Sequence, residues 1–267
     1  MIMQYKNIIP AVLSMRQIID DETLRHHIKT KGLADYVTMV DISVQKELKQ
    51  ILSDLYPEIQ FIGEEEQSNP VLWNGLHWVL DPIDGTTNLI HDYPQFTVSL
   101  GLYDGKTGIF GIVYAPRSNE VFFAEKGVGC YYMHPDWEIC DAIRIHVSDN
   151  QTLEQSLISV GTTPYRKDLI HENCRRFAAV LEKAQDIRRT GSAALELAQV
   201  ACGRVDGFFE RLLQPWDYAA GVILVQEAGG CVQTLEGTTL DPTVPSSLLA
   251  TNGLIQDDLF QTLSSVK

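Results

Sequence analysis

Between residues 96 and 133 four short β-rich runs (96–102, 108–114, 120–124 and 130–133) follow one another, separated by turn signals such as Asp104-Gly105 and Ser118-Asn119. Strands that short, joined by turns and not by helix-length connections, predict an antiparallel meander. The segments before it read differently. From Tyr5 to about Lys29, apolar residues at Ile8, Ile9, Val12, Leu13, Ile18 and Ile19 follow a helical stripe, with Pro10 tolerated in its first turn. Thr38-x-x-Asp41 reads as a capping box that opens a second stripe of Val44, Leu48, Ile51, Leu52 and Leu55, ending before Pro57. A strand over 59–63 delivers Glu64, Glu65 and Glu66 to its end. The apolar run Trp78-Val79-Leu80 is stopped by Asp81-Pro82, since the residue before proline is biased to extended geometry.

Beyond a polar stretch at 135–151, strands and helices alternate: strand 157–160, helix 169–183, a strand near Ile187, helix 193–202 and strand 205–210. A helix over 215–228 follows, with Pro215 at its first turn and Gly229 as its stop, then strands 231–235 and 248–251 and a last helix to about Leu263. The fold class is therefore α/β, in layered α+β form. It divides into an N-terminal half, 1–147, with the antiparallel sheet, and a C-terminal α/β half, 148–267.

A chain of 267 residues buries a sizeable core without disulfides or structural metals. Its five cysteines, odd in number and without a Cys-x-x-Cys pair, suit a reducing cytoplasm. The apolar stretch Ile8 to Leu13 is too short for a membrane span or a secretory leader. With 21 Lys and Arg against 35 Asp and Glu, the net charge is −14. That balance argues against nucleic acid, whose binding needs clustered cations, and points to a cation as the partner of so much carboxylate.

Three acidic spots stand at predicted strand ends or helix starts: Gly63-Glu64-Glu65, Asp81-Pro82-Ile83-Asp84-Gly85-Thr86-Thr87-Asn88, and Trp216-Asp217. Each has a plain structural explanation. Glu64 and Glu65 suit a solvated turn, Asp-Pro and Asp-Gly are strong turn dipeptides, and Asp217 complements a helix dipole. Together they suggest more. Asp81 and Asp84 flank a residue whose carbonyl can turn inward, so two carboxylates and a carbonyl converge. Carboxylates gathered that closely repel, and a divalent cation relieves the repulsion. All-oxygen donors select Mg²⁺ or Mn²⁺ over Zn²⁺. A helix beginning at Gly85-Thr86-Thr87 would set an anion site beside the cations, which suggests phosphoryl transfer to water.

At these residues the sequence resembles the inositol monophosphatase family of Mg²⁺-dependent phosphatases. The resemblance rests on Val37-Thr38-x-x-Asp41, Gly63-Glu64-Glu65, Trp78 to Asn88, Gly191-Ser192-Ala193-Ala194 and Trp216-Asp217-Tyr218-Ala219-Ala220-Gly221, in the family's order and over nearly the whole chain. Thr86-Thr87-Asn88 after the Asp-Gly pair resembles the inositol branch more than the bisphosphate-nucleotidase, fructose-bisphosphatase or histidinol-phosphatase branches.

The resemblance implies the sugar-phosphatase fold of alternating α and β layers and a site between the two halves. One cation would be held by Glu64, Asp81 and the Ile83 carbonyl, a second by Asp81, Asp84 and Asp217, and a third, weaker one near Glu64 and Glu65. Thr86, hydrogen-bonded to Asp41, would orient and help deprotonate an attacking water, with Glu64 in the same catalytic group. Gly85 and Thr86 amides would hold phosphate oxygens, while Asp84, the Ala193 amide, Glu210 and Asp217 would face the substrate. One departure from the family's pattern is its lysine in the loop before Val37-Thr38-x-x-Asp41: here Lys29 and Lys31 bracket that position, the loop Thr30 to Asp35 being shifted by one residue. A homodimer and lithium sensitivity are implied as well. The alternatives are a related sugar phosphatase, acting for example on fructose 1,6-bisphosphate, and a regulatory binding protein with incidental phosphatase activity.

The remaining features read as structural. Arg188-Arg189 suits a surface strand, His91 a surface or capping residue, and Tyr131, Tyr132 and Trp137 the core of the meander. Gly127-Val128-Gly129 lacks the rest of a dinucleotide fingerprint, and neither a Walker motif nor a Gly-x-Ser-x-Gly elbow is present.

Overall fold

In the computed structural model, residues 4–66 and 73–266 are described. The N-terminal elements are α1 (Ile8–Ser14), α2 (Arg16–Ile19), α3 (Glu22–Arg25), a hairpin of β1 (Ile28–Gly32) and β2 (Asp35–Thr38), and α4 (Met39–Leu55). The first helical stripe is therefore three short helices and a strand, where the periodicity predicts one helix. Asp21 explains the break, because its side chain caps α3 by accepting from Thr23 N–H, and a new cap starts a new helix. The second stripe forms as its sequence predicts. Thr38 Oγ accepts from Val40 N–H, and Asp41 reaches back to Thr38 N–H.

The first sheet has seven strands in the order β3-β4-β5-β6-β7-β8-β9. They are β3 (Gln60–Gly63), β4 (Leu76–Asp84), β5 (Thr97–Asp104), β6 (Thr107–Ala115), β7 (Glu120–Glu125), β8 (Gly129–Met133) and β9 (Ile143–Ile145). From β4 to β9 every pairing is antiparallel, which is the expected meander. A five-stranded sheet follows, ordered β11-β10-β12-β14-β13. It is built from β10 (Leu157–Val160), β11 (Asp186–Arg188), β12 (Gly207–Leu213), β13 (Cys231–Gln233) and β14 (Ser246–Thr251). The remaining helices are α5 (Thr86–Ile90), α6 (Ile170–Leu181), α7 (Ala193–Ala201), α8 (Pro215–Glu227) and α9 (Gln256–Ser264).

Alternate residues of each strand enter different cores, as a period of two requires. Trp78 and Leu80 pack with α1 and α4, whereas Val79 between them packs with α7 and α8 on the other face. In the second sheet Phe208 joins that same central core, while Phe209 faces a third core with Val180 of α6 and Leu259 of α9. The layers run helix, sheet, helix, sheet, helix. The α7–α8 layer is buried on both sides, which is why these two helices are apolar nearly all round. α8 lies against the first sheet closely enough that a Cβ at Gly111 would stand 2.7 Å from the Ala220 carbonyl.

β4 does not stop at Asp81-Pro82. It pairs with β3 only as far as Leu80, but continues beside β5 to Asp84 through a register shift between Asp81 and Asp84. Pro82 lies past the end of β3 and inside that irregularity, where a missing N–H is tolerated. Trp137 also departs from expectation. It is 39% exposed beyond β8, with Tyr132 edge-on at 6.0 Å, while Tyr131 and Tyr132 are half-buried.

Candidate active site

The bulge at the end of β4 sets the site. Ile83 N–H folds back onto Asp81 Oδ1 at 3.0 Å, which ties the Asp81 carboxylate to the turn it opens. Gly85 follows with φ +99°, and a Cβ there would press on the Gln95 carbonyl and Phe96 at 3.2 Å, so conformation and space both demand glycine. α5 then starts at Thr86. Its hydroxyl has two acceptors within reach, Asp41 Oδ1 at 2.8 Å and the Ile83 carbonyl at 3.1 Å. Asp41 Oδ2 is taken by Thr38 Oγ at 2.5 Å and Thr38 N–H at 2.9 Å. The capping carboxylate of α4 is thus also the partner of Thr86.

The second half of the chain closes the site. Ser192 Oγ and Ala194 N–H donate to Asp84 Oδ2 at 2.7 and 2.6 Å. Gln214 N–H donates to Asp217 Oδ2 at 2.7 Å in the first turn of α8, so Asp217 is a capping residue and a site residue at once. Thr163 N–H and Oγ donate to Glu210 Oε1 at 2.7 and 3.2 Å. These bonds engage one oxygen of each carboxylate.

A cavity of about 590 Å³ results, lined by Glu64, Asp81, Ile83, Asp84, Gly85, Thr86, Ala193, Glu210 and Asp217. Nine of the expected site residues thus come together in one pocket. Asp41 is fully buried behind Thr86, and Glu65 faces a neighbouring groove beside α4 with Gln45 and Lys49. His91 and Arg189, both exposed, stand at the pocket's edge, and Arg188 is exposed in β11.

The charges in the pocket are under strain. Burial, then Glu64 and Asp84, push the Asp81 carboxyl well above its ordinary value, and burial followed by Asp84 and Glu64 does the same to Asp217. Burial raises Asp84 to about 6 against the donors that oppose it, and Glu210 to about 7. Asp41 is also pushed up by burial, despite its bonds from Thr38 and Thr86.

At the rim, Lys31 Nζ donates to Glu64 Oε1 at 3.1 Å and Glu65 Oε1 at 2.5 Å. Burial works against the Lys31 charge, but the two glutamates outweigh it and its pKa rises. The β1–β2 register shifts between Thr30 and Gly32, which leaves Lys31 in a bulge that aims it at the carboxylates, while Lys29 stays exposed in regular pairing. Of the two lysines bracketing the expected position, the bulge selects Lys31.

The donor set fits a hard divalent cation: buried, mutually repelling carboxylates and the pocket-lining Ile83, whose carbonyl accepts from Thr86 Oγ, with an ammonium group already drawn to two of the acids. Among the described residues, no three or more His, Cys, Asp or Glu side chains are gathered closely enough to hold a metal ion as they stand. The bonds to Lys31, Ser192 and Gln214 hold the carboxylates individually.

Ser192, Ala194 and Glu196 escaped the sequence reading as parts of the site. Glu196 had a signal, as the one acid in the otherwise largely apolar stretch Ala193–Ala201.

Residues 3–267 match the Inositol monophosphatase family. The chain is 36% identical over 239 residues to an inositol-1-monophosphatase of Synechocystis, covering 89% of this chain and 80% of the relative. It is 34% identical over 258 residues to Nus factor SuhB of Xylella fastidiosa, covering 94% and 89%. Among solved structures, the extragenic suppressor protein suhB of Bartonella henselae superposes with a TM-score of 0.85 at 31% identity, over 96% of both chains.

Proposed function

The chain belongs to the inositol monophosphatase family, and we propose that it is a Mg²⁺-dependent phosphomonoesterase that hydrolyses inositol monophosphate to inositol and phosphate. The observation that carries this reading is the pocket in which Glu64, Asp81, Asp84 and Asp217 surround the start of α5, with Thr86 bound to Asp41 behind it. Two or three divalent cations, Mg²⁺ or in its place Mn²⁺, would be held by Glu64, Asp81, the Ile83 carbonyl, Asp84 and Asp217, with Glu65 at the rim. When bound they supply Lewis-acid stabilisation of phosphoryl charge and a lower pKa for water.

The chain's own residues do the rest. Thr86 donates its hydroxyl hydrogen bond to Asp41 and so turns its lone pairs to the pocket, where they would accept a hydrogen bond from the attacking water. The water is thereby aimed at phosphorus, in line with the leaving sugar oxygen. Gly85 and Thr86 N–H groups hold the phosphate oxygens. Glu210, clamped by Thr163, and the Ala193 amide meet the polyol hydroxyls.

Phosphate release with and without Mg²⁺ on inositol 1-phosphate, fructose 1,6-bisphosphate and 3′-phosphoadenosine 5′-phosphate tests the reading. Metal-dependent preference for the first is expected, along with inhibition by lithium. Preference for another substrate keeps the site chemistry and replaces the substrate. The Nus factor name of the Xylella relative supports a second reading, a regulatory binding protein, which absence of turnover on all three would favour. We further propose a cytoplasmic homodimer working on a small-molecule ester. Among the described residues, no helix is long and apolar enough to cross a membrane. The two halves, 1–147 and 148–267, would act only together, since Asp217 and Glu210 come from the second.

A further inference from the structure

The backbone of one residue, Thr190, is held at both of its peptide groups. Its carbonyl accepts from Asn88 Nδ2 at 2.9 Å, and its N–H donates to Glu196 Oε1. Asn88 belongs to α5, the helix that Thr86 opens, and the same amide nitrogen also donates to the Gln95 carbonyl. Glu196 belongs to α7. Two residues beyond Thr190, Ser192 Oγ and then Ala194 N–H fasten Asp84 Oδ2. Ser192 N–H donates to Thr190 Oγ at 3.3 Å, so the grip on Thr190 passes directly to the donors of Asp84. The turn has no slack, because Gly191 lies at φ +88° and a Cβ there would stand 3.2 Å from Asn88 Nδ2.

Glu196 is an unlikely choice for stability alone. It is 2% exposed, its Oε2 has no hydrogen-bond partner among the described residues, and its helix neighbours are alanine and leucine. A buried carboxylate with an unpartnered oxygen is unfavourable. An alanine would leave the apolar helix undisturbed but would release the Thr190 N–H.

We propose that Glu196 and Asn88 are positioning residues of the phosphatase reaction, holding the backbone N–H and C=O of Thr190 so that Ser192 and Ala194 present Asp84 to the pocket in one orientation. This rests on the phosphatase reading above. The experiment compares full-length wild type with Glu196→Ala, Glu196→Gln, Asn88→Ala and the Asn88→Ala/Glu196→Ala double variant. It reads kcat and KM on inositol 1-phosphate, Mn²⁺ affinity from the free-ion electron spin resonance signal, and melting temperature.

Glu196→Ala and Asn88→Ala should each lower kcat by about ten- to a hundredfold, the range for losing a partner that orients a ligand, and should weaken Mn²⁺ binding with KM little changed. Glu196→Gln keeps an oxygen for the Thr190 N–H and should recover most of both. The double variant should be no worse than the poorer single, because both act through the backbone of one residue, Thr190. A lower melting temperature with kcat and Mn²⁺ affinity intact would reduce both residues to structural ones, and losses that multiply in the double variant would separate them; either result overturns the proposal. If Glu196→Ala does not fold, unchanged kcat and Mn²⁺ affinity in Asn88→Ala are decisive against it. Should wild type bind Mn²⁺ but release no phosphate, the phosphatase reading fails alone and the Mn²⁺ affinities still decide the positioning role. Wild type that neither binds Mn²⁺ nor releases phosphate overturns both.

Discussion

The two groups of acids in the pocket are held in different ways. Asp81, Asp84 and Asp217 each give one oxygen to a main-chain N–H, from Ile83, Ala194 and Gln214, so the fold itself aims them. Glu64 and Glu65 at the rim are instead joined by the side chain of Lys31, on a hairpin whose β1 is exposed along its length. A main-chain donor cannot leave without unfolding its turn, whereas an ammonium on a flexible stem can. The inner acids are preorganised, and the rim is exchangeable.

The largest test of that contrast is Asp81→Asn. Metal-dependent phosphate release should fall by more than about a hundredfold, beyond the loss for an orienting partner, with circular dichroism and melting temperature retained. A folded variant with near-full activity would remove Asp81 from the metal centre. Thr86→Ala comes next. It should lower kcat by about 10² to 10³, in the range for a proton-handling group, while Mn²⁺ affinity stays near that of wild type, because Thr86 contributes no carboxylate.

At the rim the expected effect is smaller and of opposite sign. Lys31→Met removes a cation that competes for Glu64 and Glu65, so the half-saturating Mg²⁺ concentration should drop by about two- to fivefold, the equivalent of one partly exposed ion pair. A rise would mean that Lys31 helps to assemble the site.

The smallest effect is on stability against pH. Asp84 and Glu210 are raised to about 6 and about 7 from ordinary values of 3.8 and 4.5, so the folded metal-free protein binds more protons than the unfolded chain between those limits. Stability therefore falls as pH rises from about 4 to about 7. Calorimetry without metal should show the melting temperature declining over that window, and Glu210→Gln should flatten the upper part of the decline. An unchanged slope would show that Glu210 is not buried as a costly anion.

Much of the site was legible because its parts are local. Asp81, Ile83, Asp84, Gly85 and Thr86 lie within one strand end and one turn, and the Thr38–Asp41 capping box is a four-residue pattern. The errors have local causes as well. Helical periodicity ran past Asp21 because a cap inside a stripe leaves the stripe's apolar spacing nearly intact. Pro82 reads as a stop because sequence does not show which side of a strand is paired; the β3–β4 pairing ends at Gly63 and Leu80, and only the β5 side of β4 continues.

Ser192 and Ala194 were illegible as site parts because their partner, Asp84, is more than 100 residues away along the chain and is met only once α7 is packed between two sheets. Glu196 meets Thr190 only six residues before it, but nothing in that short spacing ties it to the site. The sequence by itself determined the donor chemistry, the order of the motifs and the inward turn after Asp81, because backbone sterics and short hydrogen bonds act within a few residues. Tertiary structure alone decided that Lys31 and not Lys29 reaches the glutamates, that Asp217 faces Asp84, and that Asn88 meets Thr190. Those contacts depend on a bulge in one hairpin and on the stacking of five layers, which are settled by packing across the whole chain.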